Sequence, residues 1–237
     1  MKPWQIRLEE RLRAEAAPAV LSRDLLARMA RTARGGEDMA ASSLTHWIGA
    51  AGKSGSLQAV VRGLYLNRWR PRPGALADAA PWLRGDAVVS LNTVLADAGV
   101  LNNPTRIVTA VVPLDPRAPR LGRQLTHAGS FQFHGMPRRI LEAGEPADRL
   151  EPAGAYEHAR ATPEKALVDW LYLAASPRST RHLPPRGDVD VELLKKARLR
   201  TLARAAGVSA LLDAWVRGMP RTPVHDWRDP GGTPTWR

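Results

Sequence analysis

The ten residues VVRGLYLNRW, from Val60 to Trp69, directly follow a helix-like run and contain a hairpin signal. The two valines are β-branched strand formers, and Leu64 and Leu66 alternate as they would in a returning strand. Between them, Arg62 and Gly63 predict a tight turn in which Gly63 takes a positive φ. A helix with such a hairpin behind it predicts a winged helix-turn-helix with Arg62 at the tip of the wing. The alternative is an ordinary hairpin that covers a helical domain and leaves Arg62 in solvent.

Three helices are predicted before the hairpin, because apolar residues recur there at helical spacing. The first should stop before Pro18, Ser22 is placed to cap the second, and Gly35 with Gly36 separates the second from the third. The predicted apolar stripes are, in chain order, Trp4, Leu8 and Leu12; Leu25, Leu26 and Met29; and Ala40, Leu44, Trp47, Ile48 and Ala51.

The opposite face of the third helix is small and polar, and such a face can enter a DNA major groove. Its candidate DNA-binding residues are Ser42, Ser43, Thr45, His46 and Lys53. His46 is either a base reader or an ordinary surface residue. Arg23 near the start of the second helix, Arg62 on the wing and Arg68 beyond it are candidates for phosphate contacts.

The charge of the chain favours a nucleic-acid partner. The formal net charge is +12, and 30 of the 35 basic residues are Arg, because only five are Lys. Arg guanidinium groups match phosphates and guanine edges, whereas a GC-rich genome is the alternative explanation for an excess of Arg. The chain has no Cys, which excludes disulfides and thiolate chemistry and agrees with the cytoplasm as its location. The sequence predicts no membrane partner, since it lacks a long apolar run.

The length of 237 residues favours two domains, and the Pro-rich basic segment WRPRP at Trp69 to Pro73 is the predicted boundary. The predicted fold class is α+β. Residues 1–70 form a winged helix-turn-helix DNA-binding domain, residues 71–220 form a mixed α/β domain, and residues 221–237 form a Pro/Gly-rich tail.

Helices and strands alternate in the predicted second domain. Ser90 is placed near the cap of a helix that ends at Gly99, and Thr162 is the predicted N-cap of a later helix with Pro163 at its first position. The other predicted elements are a strand at Arg106–Val112, a hairpin with Phe131 and Phe133 on one face, and helices at Asp190–Ala206 and Ala210–Met219.

No segment predicts catalysis, a cofactor or a metal ion. The stretch GAAGKSGS resembles a phosphate-binding loop, but Trp47 stands where that pattern requires Gly. Lys165 and Asp169 have helical i, i+4 spacing, and we interpret them as a surface ion pair rather than an acid–base cluster. His127 and His134 without a nearby carboxylate make an incomplete metal site. An Arg-rich nuclease is retained only as a reserve hypothesis.

Three segments together resemble a known family: RGLYLN in the predicted wing, VVSLNTVLADAGVL, and ATPEKALVDWLYL. They are similar to the AbiEi-like antitoxins and transcriptional regulators of type IV abortive-infection toxin-antitoxin systems. The resemblance runs from about residue 20 to about residue 175. It implies a regulator that binds promoter DNA to repress its own operon, and a C-terminal domain that neutralises a cognate nucleotidyltransferase toxin. The neutralising surface is expected around the strands between Arg106 and Arg139.

Two other hypotheses remain open at this stage. The chain could neutralise its toxin by direct contact without binding DNA, or it could be a solitary transcriptional regulator. A neighbouring nucleotidyltransferase gene would distinguish the antitoxin hypotheses from the solitary regulator.

Overall fold

The structure, a computed structural model, describes residues 1–103, 105–114, 121–177 and 179–218, which form a mixed α and β fold. The predicted tail at 221–237 lies outside these residues. Within the described part, the helices are α1 (Pro3–Arg13), α2 (Arg23–Ala33), α3 (Ala41–Lys53), α4 (Ala80–Leu83), α5 (Asn92–Asp97), α6 (Arg138–Leu141), α7 (Pro146–Arg149), α8 (Pro163–Ala175), α9 (Lys196–Ala205) and α10 (Ser209–Val216). The strands are β1 (Val20–Ser22), β2 (Leu57–Val61), β3 (Leu64–Asn67), β4 (Val88–Val89), β5 (Ile107–Pro113), β6 (Gly122–Thr126) and β7 (Gly129–Met136).

The three N-terminal helices pack around a core of their own. The predicted face of α1 is buried, and Ser22 caps α2 by accepting a hydrogen bond from the Leu25 N–H at 3.1 Å. The buried face of α2 differs from the predicted stripe. It consists of Leu26, Ala30 and Ala33, whereas Leu25 and Met29 pack at its margin and are half-buried.

A three-stranded antiparallel sheet in the order β1-β3-β2 packs against α2 and α3. Strand β1 was not expected, because its three residues are too few to give a period. The predicted hairpin is confirmed: Arg62 and Gly63 form the turn between β2 and β3, and Gly63 has a φ of 81°. A register shift between Ala59 and Val61 marks an irregularity just before the turn.

This sheet contributes to two hydrophobic cores. Leu21 and Leu57 belong to the core of the N-terminal helices, whereas Val20, Val60 and Leu66 belong to the core of the later part of the chain. The two faces of a strand point in opposite directions, so a sheet placed between two layers is buried on both sides. The two cores therefore meet across β1, β2 and β3.

The Pro-rich segment after β3 packs closely against the N-terminal part. Trp69 stacks on Trp47 with a centroid distance of 5.5 Å, and the Gly74 N–H donates to the Asn67 carbonyl at 2.9 Å. A Cβ atom at Gly74 would lie 2.4 Å from the Ala19 carbonyl oxygen, so this close approach requires glycine.

The second sheet has the order β4-β5-β7-β6, in which β5 and β7 are parallel and the other pairs are antiparallel. The predicted β6–β7 hairpin is confirmed, and Phe131 stacks with Phe133 in the core with a centroid distance of 5.8 Å. The strand predicted at Arg106–Val112 is β5, displaced by one residue at each end.

Helix α8 is the central helix of the later part, and its residues from Glu164 to Ala174 are buried. Thr162 caps it as predicted, since its hydroxyl accepts from the Lys165 N–H at 3.3 Å. Helix α9 begins later than predicted, because Asp190 caps a separate 3-10 turn at Val191–Leu193. None of the helices in the described ranges is long and apolar enough to span a bilayer.

Ser90 lies near the cap of α5, as predicted, but it is not the capping residue. Leu91 is the N-cap residue and takes a φ of 60°. The Ser90 side chain instead turns into the core and donates a hydrogen bond to Asp169.

A candidate nucleic-acid interface

Arg23 joins three elements of the N-terminal part. Its backbone N–H donates to the Gly63 carbonyl at 2.8 Å, in the turn between β2 and β3. Its side-chain Nη2 donates to the hydroxyl of Thr45 on α3, also at 2.8 Å. The start of α2, the outer face of α3 and the β2–β3 turn are therefore held together by one residue.

The outer face of α3 is accessible. Ser42, Thr45, His46 and Lys53 are exposed, and Ser43 is half-buried. The Thr45 hydroxyl also donates to the Ala41 carbonyl at 2.8 Å, so its orientation is fixed. The side chains of Ser42, His46 and Lys53 have no hydrogen-bond or ion-pair partner in the described part of the chain.

Gly49 lies on the exposed surface of α3 and contributes no side chain there. A Cβ added at Gly49 would meet no atom within 4 Å, so the helix backbone is open to solvent at this point. A large partner can therefore approach the helix closely here, which is one of the reasons for placing glycine at a contact surface.

Arg62 is exposed next to Gly63, whose carbonyl accepts the Arg23 N–H. Its guanidinium group has no partner within the described ranges. The structure therefore places Arg23, Thr45 and the backbone of the Arg62–Gly63 turn close together, beside the rest of the outer face of α3.

Arg68 lies apart from this group, at the other end of β3. Its Nε donates to the Gln58 side chain at 3.1 Å, and its Nη1 donates to the Gly74 carbonyl at 2.8 Å. The side chain is half-buried and ties the chain after β3 to β2. These internal contacts occupy the guanidinium group that the sequence suggested for a phosphate.

The positive charge is concentrated in this part of the protein. Residues 1–70 contain 12 Lys and Arg against six Asp and Glu, so they carry half of the net charge of +12 in under a third of the chain. A locally positive surface attracts polyanions at long range.

The interpretation of Lys165 and Asp169 as a surface pair was wrong. Their side chains are 4% and 1% exposed and form an ion pair in the core. The Lys165 Nζ also donates to the Ile140 carbonyl at 3.1 Å, and the Ser90 hydroxyl donates to Asp169 at 2.8 Å. The i, i+4 spacing is visible in the sequence, whereas the burial comes from the packing of α8 against α5, α7, α9 and α10.

Burial is the main influence on the carboxyl group of this pair and raises the pKa of Asp169. Lys165 and the Ser90 hydroxyl act in the opposite direction, because both interact favourably with the carboxylate. The ion pair, its hydroxyl donor and its carbonyl acceptor satisfy one another inside the core, which is the arrangement of a structural network.

The two histidines considered for a metal site do not come together. His127 lies in the β6–β7 turn, where it is exposed and its backbone N–H donates to the Val60 carbonyl at 2.9 Å. His134 lies near the far end of β7, and its Nε2 contacts Arg181 Nη1 at 3.3 Å. Burial, assisted by the Arg181 charge, lowers the pKa of His134 to about 4. Within the described residues, no three His, Asp or Glu side chains are grouped to hold a metal ion.

Comparison with known proteins relates this chain to a solved structure at the level of the fold. No family model matches the chain, and no curated protein sequence matches it. The crystal structure of the RV2827C protein from Mycobacterium tuberculosis aligns with a TM-score of 0.54 and 18% sequence identity. The alignment covers 94% of this chain and 83% of the mycobacterial chain. At this identity the similarity concerns the fold alone.

Proposed function

We propose that this protein is a DNA-binding transcriptional regulator whose N-terminal part is a winged helix-turn-helix. The observation that carries the proposal is the position of Arg23, which bonds both to Thr45 on α3 and to the backbone of the β2–β3 turn. Two helices followed by a hairpin on the same side are the components of such a domain, and Arg23 fixes their relative positions.

In this proposal α3 lies in the major groove. His46 is exposed and unpartnered within the described chain, so both of its ring nitrogens are available for base edges. Arg62 on the turn contacts phosphates or the minor groove, and Arg23 contacts a phosphate while it positions Thr45. The net charge of +12 supports the sequence-independent part of the affinity.

We propose further that the regulator is the antitoxin of a type IV toxin-antitoxin pair, acting in the cytoplasm without a cofactor or catalytic activity. The support is the resemblance of RGLYLN, VVSLNTVLADAGVL and ATPEKALVDWLYL to AbiEi-like antitoxins. It represses its own operon through promoter DNA, and its later part neutralises a nucleotidyltransferase toxin.

The test combines repression and rescue in one strain. The full chain and an Arg23→Ala/Arg62→Ala variant are co-expressed with the nucleotidyltransferase encoded beside the gene, and a reporter follows the operon promoter. We expect the variant to lose repression of the reporter and to keep rescuing growth. Wild-type protein that represses the promoter but does not rescue growth is a solitary regulator, and protein that rescues growth without repressing the promoter is a pure interaction protein.

A further inference from the structure

A cleft of about 220 Å³ lies between the segment that follows β3 and the loop that precedes α8. It is separate from the candidate nucleic-acid interface on α3. Eight of its lining residues are charged or aromatic: Arg70, Arg72, Asp78, Asp97, Tyr156, Glu157, His158 and Arg160.

A histidine and a carboxylate form a buried pair at this cleft. His158 Nδ1 lies 2.8 Å from Asp78 Oδ1, and the His158 side chain is 3% exposed. The second oxygen of Asp78 accepts from the Ala75 N–H at 2.7 Å. Both carboxylate oxygens therefore already have partners, and Asp78 orients the imidazole with its Nε2 as the remaining polar atom.

The other two carboxylates at the cleft also have donors. Glu157 accepts from the Arg70 guanidinium and from the Ala19 N–H, the latter at 2.8 Å. Asp97 accepts from Arg160 Nη2 at 2.8 Å, and the Arg160 guanidinium lies over the Tyr156 ring at 4.5 Å. The acidic groups are thus matched by internal cations and amides.

Three of the side chains at the cleft have nitrogen atoms without a partner in the described part of the chain. His158 Nε2 and Arg70 Nε are buried and make no hydrogen bond. The exposed guanidinium of Arg72 also has no partner in the part of the chain that the structure describes. A buried polar group without a partner is costly, and such groups usually indicate a missing acceptor or a functional role.

We propose that this cleft binds a phosphate group, supplied by inorganic phosphate or by a small phosphate monoester. The Asp78 carboxylate accepts from the His158 Nδ1–H, so His158 Nε2 is oriented to accept from a phosphate hydroxyl, while the neighbouring Arg70 Nε–H donates to a phosphate oxygen. The Arg72 guanidinium group donates to the remaining phosphate oxygens. Two guanidinium donors and one imidazole acceptor match a phosphate that carries a hydroxyl, and the two guanidinium charges oppose a metal cation.

The loop that carries Tyr156 must move outward to admit the ligand, since the two buried nitrogens are closed to solvent. Gly154 in this loop is exposed, has a φ of 86° and would leave a Cβ with no atom within 4 Å. The loop therefore has open space at this residue.

The direct test is titration of the full-length protein with inorganic phosphate, followed through the imidazole ¹⁵N signals of His158 and by calorimetry. We expect a saturable shift of the His158 signals. We also expect Arg72→Gln to weaken phosphate binding by about tenfold, the effect of one lost charge-assisted hydrogen bond. Arg200→Gln is the matched control, because Arg200 is exposed on α9 and has no partner in the described residues.

Two results would overturn the proposal: unchanged His158 signals at saturating phosphate, or equal weakening by Arg72→Gln and Arg200→Gln. Arg72 is exposed, so its replacement tests the site even if a His158→Gln variant does not fold. A nucleoside monophosphate that binds more tightly than inorganic phosphate supports the site and identifies a small phosphate monoester as the source. If a 5′-phosphorylated oligonucleotide binds only at α3 and leaves the His158 signals unchanged, the result argues against the proposal.

Discussion

Arg23 Nη2 donates to Thr45 Oγ1 at 2.8 Å, and the same hydroxyl donates to the Ala41 carbonyl at 2.8 Å. Thr45 is therefore held by two contacts within the protein, whereas the neighbouring His46 side chain has none in the described part of the chain. On the proposed DNA-binding face, Thr45 is a fixed group and His46 is a free one.

This difference predicts unequal effects on DNA specificity. We expect His46→Ala to relax the preference for operator over unrelated DNA by about 1–3 kcal/mol, the value of one well-made base contact. Thr45→Ala should have a smaller effect on preference, because its hydroxyl is already engaged. Thr201→Ala on the exposed face of α9 is the control. Competition binding with operator and scrambled duplexes measures the preference, and equal preference for wild type and His46→Ala would remove His46 from the interface.

The buried Lys165–Asp169 pair predicts a large and non-additive effect on stability. Lys165→Met should lower the free energy of unfolding by about 3–5 kcal/mol, because it leaves a buried carboxylate without its cation. The double variant Lys165→Met/Asp169→Leu should lose much less than the sum of the single changes. Urea unfolding of the wild type, the two single variants and the double variant gives the coupling free energy between Lys165 and Asp169.

A second pair with the same spacing provides the control for this experiment. Lys196 and Glu192 lie 2.7 Å apart with side chains 62% and 71% exposed. Lys196→Met should cost less than about 1 kcal/mol, because solvent screens an exposed pair. Similar losses for Lys165→Met and Lys196→Met would contradict the buried position of the former.

His134 predicts a loss of stability in acid. Its pKa is about 4 in the folded protein and 6.5 in the unfolded chain, so the unfolded state binds more protons between these values. Its contribution to the free energy of unfolding is complete above pH 6.5 and declines as the pH falls toward 4, by at most about 3 kcal/mol.

Substitution isolates this contribution. His134→Gln, which retains an acceptor for Arg181, should flatten the dependence of stability on pH between 4 and 6.5. His127→Gln, in the exposed turn, should leave it unchanged. Denaturant midpoints at several pH values provide the measurement, and parallel curves for wild type and His134→Gln would show that His134 does not titrate in this range.

The local elements were predictable because their signals lie within a few residues. Ser22, Gly63 and Thr162 each act on neighbours in the chain, and all three predictions are confirmed. The contacts that could not be predicted join more distant segments: Arg23 to Thr45, and Ser90 to Asp169. A lone Lys–Asp spacing does not reveal burial, because a surface helix and a central helix can share it.

The shared sheet predicts the behaviour of a fragment that begins at Pro73. Such a fragment loses Val20, Val60 and Leu66, which complete its core. We expect it to lack cooperative thermal unfolding by circular dichroism, because removing buried apolar area on this scale is strongly destabilising. A Pro73 fragment that unfolds as cooperatively as the full chain would show that the later part is an independent domain.

The salt dependence of promoter binding by wild type and Arg62→Ala tests the central claim most directly. For each phosphate contact that is lost, the slope of log K against log salt concentration should become shallower by about 0.9. We predict salt-dependent binding by the wild type, a slope reduced by about that amount for Arg62→Ala, and an unchanged slope for Arg200→Lys, which keeps the charge on α9. Absence of binding to the promoter, or an identical slope for wild type and Arg62→Ala, would contradict a DNA-binding wing.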